Sequence, residues 1–311
     1  MRQKAANRGD RLKHALLLES LKAIVESGTW RTLTYAETHA GAGKYLAADQ
    51  EKPRQIEPLQ RKVRRLERKA AQGIVTVGPE AAGATYLSLV KRWWQQEENW
   101  SGGRPIYPGS VAIAKKFLEE RWASDRFSWR LTEASESTWK ALQRTIREAL
   151  NASFLDKLDW LTEQDHLLLL VDPFVFKATM PLCEGCAKRI KSVSGSSFVS
   201  VADCGVHHGE MSFGILDALL NRCATHKQAV VQLWTRAAPS FQQQIYGHLS
   251  SWRDSQERHI EIQAYRTTTW DFFIIIGIAD GITAVPAIPT QEWRWLREAG
   301  IVTIESFSPE K

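Results

Sequence analysis

A glycine-containing segment near the start of the chain has the residue types and spacing of a cofactor-binding turn. It follows an extended stretch at residues 32–37, and its sequence is Glu37-Thr38-His39-Ala40-Gly41-Ala42-Gly43-Lys44-Tyr45. Gly41 and Gly43 have no Cβ, so the backbone can turn sharply there and approach a ligand closely. We expect a helix to begin near residues 43–44, because a strand, a glycine turn and a helix N-terminus form the usual seat of nucleotide-like cofactors. The alternative is an ordinary tight turn.

A second candidate group is a carboxylate that follows a continuous apolar run at residues 166–171. Such a run is typical of a central strand in a parallel sheet, buried on both faces. The run ends at Asp172-Pro173-Phe174-Val175-Phe176. Because ligands bind beyond the carboxyl ends of parallel strands, Asp172 is placed to face one. The alternative is that Asp-Pro only terminates the strand.

Four residues between positions 177 and 210 have the spacing of zinc ligands. Cys183 and Cys186 form a Cys-x2-Cys pair, and Cys204 and His207 form a Cys-x2-His pair after a spacer of 17 residues. This arrangement is typical of a zinc ribbon in which one cysteine is exchanged for histidine. We therefore predict a structural zinc ion in an insertion at 177–210. The alternatives are a redox-active Cys-x-x-Cys pair and thiols that bind no metal.

Several short segments follow one another in an order shared with one enzyme family. They are Asn7-Arg8-Gly9-Asp10-Arg11-Leu12-Lys13-His14, the glycine segment, Ile106-Tyr107-Pro108-Gly109-Ser110, Leu131-Thr132-Glu133 and, in part, Leu170-Val171-Asp172-Pro173-Phe174. On these residues the chain resembles the RlmJ-type methyltransferases, which use S-adenosylmethionine (SAM) to methylate N6 of an adenine in large-subunit ribosomal RNA. The resemblance covers the part of the chain that ends near Phe174.

The resemblance implies an α/β fold and a set of cofactor-binding residues. The expected architecture is a single Rossmann-like class I methyltransferase domain over residues 1–311, with a doubly wound, mostly parallel, seven-stranded sheet and an antiparallel last strand. The implied cofactor is SAM. Glu133, at the end of the second sheet strand, is the expected partner of the ribose hydroxyls. The residues implied to line the cofactor are Lys13, His14, Glu37, His39, Gly41, Gly43, Ser110, Glu133 and Asn151.

The resemblance also implies a role for Asp172. The N6 lone pair of adenine is delocalised into the ring, so a carboxylate and the backbone carbonyl of Pro173 would localise it and take up the proton. An aromatic side chain would stack on the base and hold it in place. The family motif is Asp-Pro-Pro-Tyr, whereas this chain has Asp-Pro-Phe-Val, so we expect Phe174 or Phe176 to provide the stacking ring.

The altered motif leaves two further hypotheses open. One is a nucleic-acid-binding protein that keeps the methyltransferase fold and no longer methylates. The other is a methyltransferase that acts on a protein or a small molecule. Fold analogy alone does not choose among these three hypotheses.

The charge distribution favours a nucleic-acid partner. The chain has a net charge of +6 and an isoelectric point near 9.1, which suits a polyanion. An amphipathic helix is predicted at 51–72, inside a helical basic insertion at 46–105. Its eight basic side chains would contact RNA, in preference to DNA, although a solvated surface is the alternative. They are Lys52, Arg54, Arg61, Lys62, Arg64, Arg65, Arg68 and Lys69.

The apolar periodicity predicts the elements that position these groups. Helices are predicted at 8–27, 85–98, 111–122, 135–150, 211–223, 241–252 and 290–299. Strands are predicted at 32–37, 128–133, 166–171, 229–234, 259–265, 271–278 and 301–304, with 259–265 and 271–278 antiparallel. Ser110 is the expected N-cap of the helix that follows it. The segments 37–43 and 172–176 should face each other across one crevice.

The remaining sequence features bear on the cellular compartment. No apolar run is long enough to span a membrane, and the charged N-terminus is not followed by the apolar region of a signal peptide. We therefore expect a cytoplasmic protein without membrane contact. Its four cysteines are then thiols or metal ligands in preference to disulfides. The sequence leaves the oligomeric state open.

Overall fold

The computed structural model describes residues 8–46, 82–152, 166–172, 175–177, 210–267, 271–279 and 304–306, together with Arg61, Arg64, Lys157 and Leu161. The chain divides into two compact units. The helical unit comprises Met1–Thr29, Gly41–Ser124 and Pro286–Ile304. The sheet unit comprises Trp30–Ala40, Asp125–Val285 and Glu305–Lys311.

The elements follow one another in a mixed α/β order. The described helices are α1 (Arg8–Ser27), α2 (Ala82–Trp94), α3 (Ser110–Glu119), α4 (Glu136–Leu142), α5 (Phe213–Cys223) and α6 (Pro239–Asp254). The described strands are β1 (Leu33–Glu37), β2 (Lys44–Leu46), β3 (Trp100–Ser101), β4 (Arg104–Pro108), β5 (Phe127–Leu131), β6 (His166–Val171), β7 (Val175–Lys177), β8 (Glu210–Ser212), β9 (Gln228–Arg236), β10 (His259–Thr267), β11 (Asp271–Ala279) and β12 (Ile304–Ser306). Short 3₁₀ turns lie at Glu97–Asn99 and Ser124–Arg126.

Helix α1 organises the helical unit. Leucines, alanine and isoleucine recur along it at helical spacing, and these side chains are fully or almost fully buried. The helix packs against α2 and α3. It ends before Gly28, whose φ of 65° is the left-handed conformation that commonly follows a helix C-terminus. The predicted helix at 8–27 is confirmed.

The glycine segment continues differently from the prediction. No helix begins near residues 43–44; instead β2 pairs antiparallel with β4, with Lys44 opposite Pro108 and Leu46 opposite Ile106. Gly43 has a φ of 71°, which a helical residue does not adopt. The prediction was wrong because the propensity of Tyr45 for extended backbone is realised by a partner strand distant in the chain.

Several helix boundaries also differ from the predictions, among them the start of α3 and the end of α4. Gly109 is the N-cap of α3, and Ser110 is the first helical residue, so Ser110 does not cap the helix. Helix α4 ends at Leu142, well before the predicted position 150. Hydrogen-bonded turns follow it, and Leu150 forms a parallel bridge with Thr132 at the end of β5. The chain therefore returns to the sheet and does not continue as a helix.

The sheet unit has a mostly parallel sheet with the strand order β10-β11-β9-β6-β1-β5. Strands β5, β1, β6 and β9 are parallel neighbours, whereas β11 runs antiparallel to both β9 and β10. The predicted mixed α/β fold and the antiparallel pairing of the last two long strands are confirmed. The short strand β12 lies next to β10, and the predicted count of seven strands depends on this segment alone.

The core of the sheet unit follows from strands that are buried on both faces. Alternate residues of β6, β9, β10 and β11 pack against the apolar sides of α5 and α6. Cys223, at the end of α5, is fully buried there, as the sequence predicted for a small core residue. All five residues of β1 are buried as well, so β1 is a central strand with neighbours on both sides.

Several predictions fall largely outside the described residues. Of the basic helix at 51–72, Arg61 and Arg64 are described, and both are helical and exposed. The four predicted zinc ligands, residues 178–209 of the predicted insertion and the helix at 290–299 lie outside the described residues. Within the described part of the chain, no helix is both long and apolar enough to cross a membrane.

Candidate functional site

Three carboxylates follow three adjacent strands of the sheet unit. Glu37 ends β1, Glu133 lies two residues after β5, and Asp172 directly follows β6. Glu37 is in register with Leu131 of β5 and Leu170 of β6. Because all three strands run in the same direction, the three carboxylates lie at the same edge of the sheet. The chain passes from β1 to β5 on one side and then to β6 on the other, so β1 marks the point where the strand order reverses, the usual ligand position in such sheets.

A neighbouring residue of the same strand, Tyr35, contacts the Glu37 side chain. Its carboxylate is almost fully buried and accepts a hydrogen bond from the Tyr35 hydroxyl. Burial raises the pKa of Tyr35 well above its ordinary value, and the negative charges of Glu37 and Asp172 add to this effect. Tyr35 therefore remains protonated and donates to Glu37. Asp172 is half-buried and close enough for its charge to act on the same tyrosine.

The loop after β1 is fastened to both neighbouring strands. The backbone N–H of Thr38 donates to the carbonyl of Leu170 at 3.2 Å, and that of Ala40 donates to the carbonyl of Thr132 at 3.0 Å. The Thr132 hydroxyl donates in turn to the Thr38 carbonyl at 3.0 Å. His39 is half-buried, and its Nδ1 lies 2.8 Å from the Thr38 hydroxyl. The first part of this loop, residues 38–40, contains the predicted cofactor residue His39 and is thus fixed by backbone hydrogen bonds.

The loop after β5 brings two predicted cofactor residues together. The Asn151 amide donates to the backbone carbonyls of Glu133 at 3.1 Å and Ala134 at 3.4 Å. The Glu133 carboxylate accepts a hydrogen bond from the backbone N–H of Ser135 at 2.9 Å, just before α4 begins. Asn151 therefore holds the backbone of the loop that presents Glu133. Both residues were predicted to line the cofactor, but the contact of the Asn151 side chain with the backbone at Glu133 was not predicted, because α4 and its following turns separate them along the chain.

In the helical unit, a tyrosine lies between two glycines. Gly41 has a φ of 62°, and a Cβ at this position would collide with the Tyr45 hydroxyl. A Cβ on Gly109 would lie 2.8 Å from a ring carbon of Tyr45, and the Gly109 N–H donates to the Gly43 carbonyl at 2.7 Å. Tyr45 therefore sets the shape of the glycine segment. Sequence reasoning missed this role because it assigned Tyr45 to a helix.

The helical unit also positions the predicted pair on α1. His14 is buried, and its Nδ1 lies 2.8 Å from the hydroxyl of Tyr107, which lies 3.0 Å from that of Tyr86. Burial lowers the pKa of His14 well below its ordinary value, and the charge of Lys13 lowers it further. Lys13 is itself buried, with its amine 3.6 Å from the Asp10 carboxylate. His14 is therefore a neutral imidazole at physiological pH.

The remaining predicted residues are only partly described. Ser110 is buried at the start of α3 in the helical unit. Phe176 lies in β7, which pairs with β8, and its side chain is outside the described residues, as are Pro173 and Phe174. Among the side chains that the structure describes, no group of three or more His, Cys, Asp or Glu residues is placed to hold a metal ion. The zinc prediction has no support from this part of the chain.

Comparison with known proteins found a similarity of sequence over part of the chain and a similarity of fold over nearly all of it. No protein-family model matches the chain. It is 28% identical over 184 residues to Ribosomal RNA large subunit methyltransferase J of Escherichia coli K12, an alignment that covers 54% of this chain and 56% of that relative. The chain thus matches only about half the length of this relative.

A solved structure extends the similarity of fold to nearly the whole chain. Protein LPL1258 from Legionella pneumophila, described under the family model DUF519, superposes with a TM-score of 0.57. The match covers 98% of both chains, at 16% sequence identity. At this identity the likeness shows the fold alone, and it supports the mixed α/β architecture described above.

Proposed function

We propose that the protein is a SAM-dependent methyltransferase that acts on the exocyclic amine of an adenine in RNA. The observation that carries the proposal is the set of carboxylates at adjacent strand ends, Glu37, Glu133 and Asp172, beside the strand where the order reverses. The similarity to a ribosomal RNA methyltransferase supports both the reaction and the substrate class.

The residues of the site suit the chemical groups of SAM. The cofactor has a cationic sulfonium and a cationic ammonium, which carboxylates such as Glu37 and Asp172 attract. Glu133 is the acid at a strand end that can accept hydrogen bonds from ribose hydroxyls. Gly41 and Gly43 allow close approach of the backbone. When bound, SAM supplies an electrophilic methyl group on sulfur. His14, Lys13, His39, Ser110 and Asn151 complete the proposed cofactor set.

Asp172 has the role of proton acceptor in this proposal. Its carboxylate accepts a hydrogen bond from the N6 amine, which localises the nitrogen lone pair, and then takes the proton. The backbone carbonyl of Pro173 accepts the second hydrogen bond of the amine. Phe174 or Phe176 stacks on the base in place of the tyrosine that the altered motif lacks. The base must leave its stack to reach such a site.

The substrate assignment to RNA also has an electrostatic basis. The chain has a net charge of +6, and Arg61 and Arg64, which are three residues apart, are both helical and exposed. Residues at this spacing share a helix face, so both guanidinium groups can contact neighbouring phosphates. We place the protein in the cytoplasm as part of the same proposal.

Transfer of a labelled methyl group from SAM to RNA tests the proposal. The wild type is expected to label RNA, and Asp172→Asn, which keeps the shape and removes the proton acceptor, should reduce the rate by about a hundredfold or more. Asp217→Asn is the matched control, because Asp217 pairs with His248 at 2.7 Å on the surface of the sheet unit. Full activity in Asp172→Asn would contradict the assignment.

The altered motif favours one second candidate, a protein that binds SAM and RNA without catalysis. The sequence after Asp172 has phenylalanine and valine where the related motif has proline and tyrosine. In this case the wild type would bind both ligands and label neither RNA nor DNA nor protein.

The predicted zinc ribbon is a separate proposal that a metal assay decides. Cys183, Cys186, Cys204 and His207 provide a tetrahedral donor set by type and spacing. Protein purified without added zinc should then contain about one ion per chain, and Cys183→Ser should lose it. Metal-free wild-type protein that remains folded would contradict the ribbon.

A further inference from the structure

A buried hydrogen-bonded network of two tyrosines and one histidine lies inside the helical unit, and only its histidine has a proposed role so far. His14 comes from α1, Tyr86 from α2 and Tyr107 from β4. The exposed fraction is 2% for His14 and 0% for both tyrosines. Since the three residues come from three separate elements, tertiary packing alone brings them together.

Hydrogen bonds link the three side chains one after another. His14 Nδ1 lies 2.8 Å from the Tyr107 hydroxyl, which lies 3.0 Å from the Tyr86 hydroxyl. The imidazole and the Tyr107 ring are stacked, with centroids 5.7 Å apart and an interplanar angle of 29°. The imidazole is therefore held both in its plane and at one nitrogen.

All three groups are uncharged at physiological pH. Burial raises the pKa values of Tyr86 and Tyr107, and burial followed by the charge of Lys13 lowers the pKa of His14. The charged groups that shift the pKa values of these three side chains are Asp10, Arg11 and Lys13, all on α1. A neutral imidazole has one N–H and one lone pair, so the bond at Nδ1 determines which nitrogen carries the proton.

The hydroxyl of Tyr107 matters because the imidazole beside it is buried. Each buried hydroxyl loses its hydration, and its hydrogen bond compensates for this loss. Phenylalanine at position 107 would fill the same core but would remove the hydroxyl that lies 2.8 Å from His14 Nδ1. The hydroxyl therefore favours one orientation of the His14 ring, in the way that outer partners fix a functional imidazole.

We propose that Tyr107 and Tyr86 are positioning residues for SAM binding. Tyr86 donates to the Tyr107 oxygen, Tyr107 donates to His14 Nδ1, and the imidazole proton is held on Nε2, the nitrogen that meets the cofactor. This inference rests on the proposed function, in which His14 contacts SAM.

Calorimetric titration with SAM tests the inference on the full-length protein. Tyr107→Phe should weaken SAM binding by about tenfold at pH near 7.5, and Tyr86→Phe should weaken it less, because Tyr86 acts through Tyr107. The matched control is Tyr265→Phe, which removes a hydroxyl that donates to Gln263 at 2.7 Å in the sheet unit. Its affinity for SAM should equal that of the wild type.

The pH dependence of SAM affinity separates positioning from a structural role. The Tyr107 hydroxyl occupies the lone pair that a proton on His14 would take. Without this donor, His14 takes up a proton more easily. The pH midpoint at which SAM affinity decreases on the acid side should therefore be higher in Tyr107→Phe than in the wild type. A smaller shift of the same sign is expected for Tyr86→Phe. A purely structural role would lower the unfolding temperature and leave the midpoint unchanged.

The outcomes distinguish this inference from the proposed function. If the wild type binds SAM and Tyr107→Phe binds it with the same affinity and the same midpoint, the positioning role is overturned and the proposed function stands. A midpoint that moves to lower pH also overturns it, because Tyr107 would then accept from His14. If the wild type does not bind SAM, the proposed function fails and the inference fails with it.

Discussion

A neutral histidine buried inside the helical unit makes stability depend on pH. The pKa of His14 is lowered well below 6.5 in the folded protein, first by burial and then by Lys13. In the unfolded chain the imidazole takes up a proton near its ordinary pKa, so acid favours unfolding. The contribution of neutral His14 to the free energy of unfolding is fully present above about pH 6.5. As the pH falls from there to the lowered pKa of the folded state, this contribution decreases by about 1.4 kcal/mol per pH unit.

Urea unfolding at several pH values measures this effect. The free energy of unfolding of the wild type should fall more steeply between about pH 6.5 and pH 5 than that of His14→Gln, which cannot be protonated. His248→Gln is the control, since His248 is partly exposed on the surface. Equal slopes for the wild type and His14→Gln would show that this imidazole is not the group responsible.

The glycine at position 41 is required for two separable reasons, its φ and the contact with Tyr45. A left-handed φ costs a residue other than glycine about 1–2 kcal/mol. Gly28→Ala isolates this cost, because Gly28 has a φ of 65° and nothing within 4 Å of its Cβ position. Gly41→Ala should be more destabilising than Gly28→Ala, because its Cβ also meets the Tyr45 hydroxyl.

A double-mutant cycle isolates the steric part. Tyr45→Phe removes the hydroxyl, after which the next atom of the ring lies 3.5 Å from the Cβ position of Gly41, an ordinary contact. Gly41→Ala should therefore cost about 1 kcal/mol less in the Tyr45→Phe background. Additive free energies of unfolding in the cycle would mean that Tyr45 does not constrain the glycine segment.

At the scale of elements, the side chain of Asn151 adds to the backbone hydrogen bonds that hold the loop after β5. The Asn151 amide donates to the carbonyls of Glu133 and Ala134, and Asn151 is itself exposed. Asn151→Asp keeps the shape and removes the donor. We expect it to weaken SAM binding severalfold while changing the free energy of unfolding by less than about 1 kcal/mol, because exposed hydrogen bonds contribute little to stability. Unchanged SAM affinity would remove Asn151 from the cofactor site.

The sequence predicted the elements whose signal is local. Helix α1 was predicted from apolar residues that recur at helical spacing, and strand β6 was predicted from a continuous apolar run of strand length. Strand β2 was not predicted, since its three residues form a strand only by pairing with β4. Helix α4 was predicted too long for a similar reason, because the bridge of Leu150 to Thr132 draws the chain back to the sheet.

At the scale of the whole molecule, the proposed RNA contact should be electrostatic. The exposed Arg61 and Arg64 are the described members of the predicted basic helix. Replacing both with glutamine should weaken RNA binding and reduce the slope of log affinity against log salt by about 0.7–0.9 for each phosphate that the protein no longer neutralises. Arg144→Gln, an exposed change in the sheet unit, is the control. SAM affinity should be unaffected, and an unchanged slope would exclude this helix from the RNA interface.

Only part of the candidate site was predictable from the sequence. Glu37, Glu133 and Asp172 could be assigned to one sheet edge, because each follows a recognisable strand and the strands are parallel. Tyr86 and Tyr107 could not be linked to His14, since hydrogen bonds between residues 93 and 21 positions apart leave no periodic signal. Contacts of this kind follow from packing between elements, which sequence patterns do not encode.

The identity of the methylated nucleoside is the most direct test of the central claim. RNA incubated with the wild type and SAM would be digested to nucleosides and analysed by mass spectrometry against standards. The account predicts N6-methyladenosine, absent from the parallel reaction with Asp172→Asn. A methyl group on a ribose oxygen or on a ring atom of a base, or RNA that remains unmethylated while SAM is bound, would contradict it.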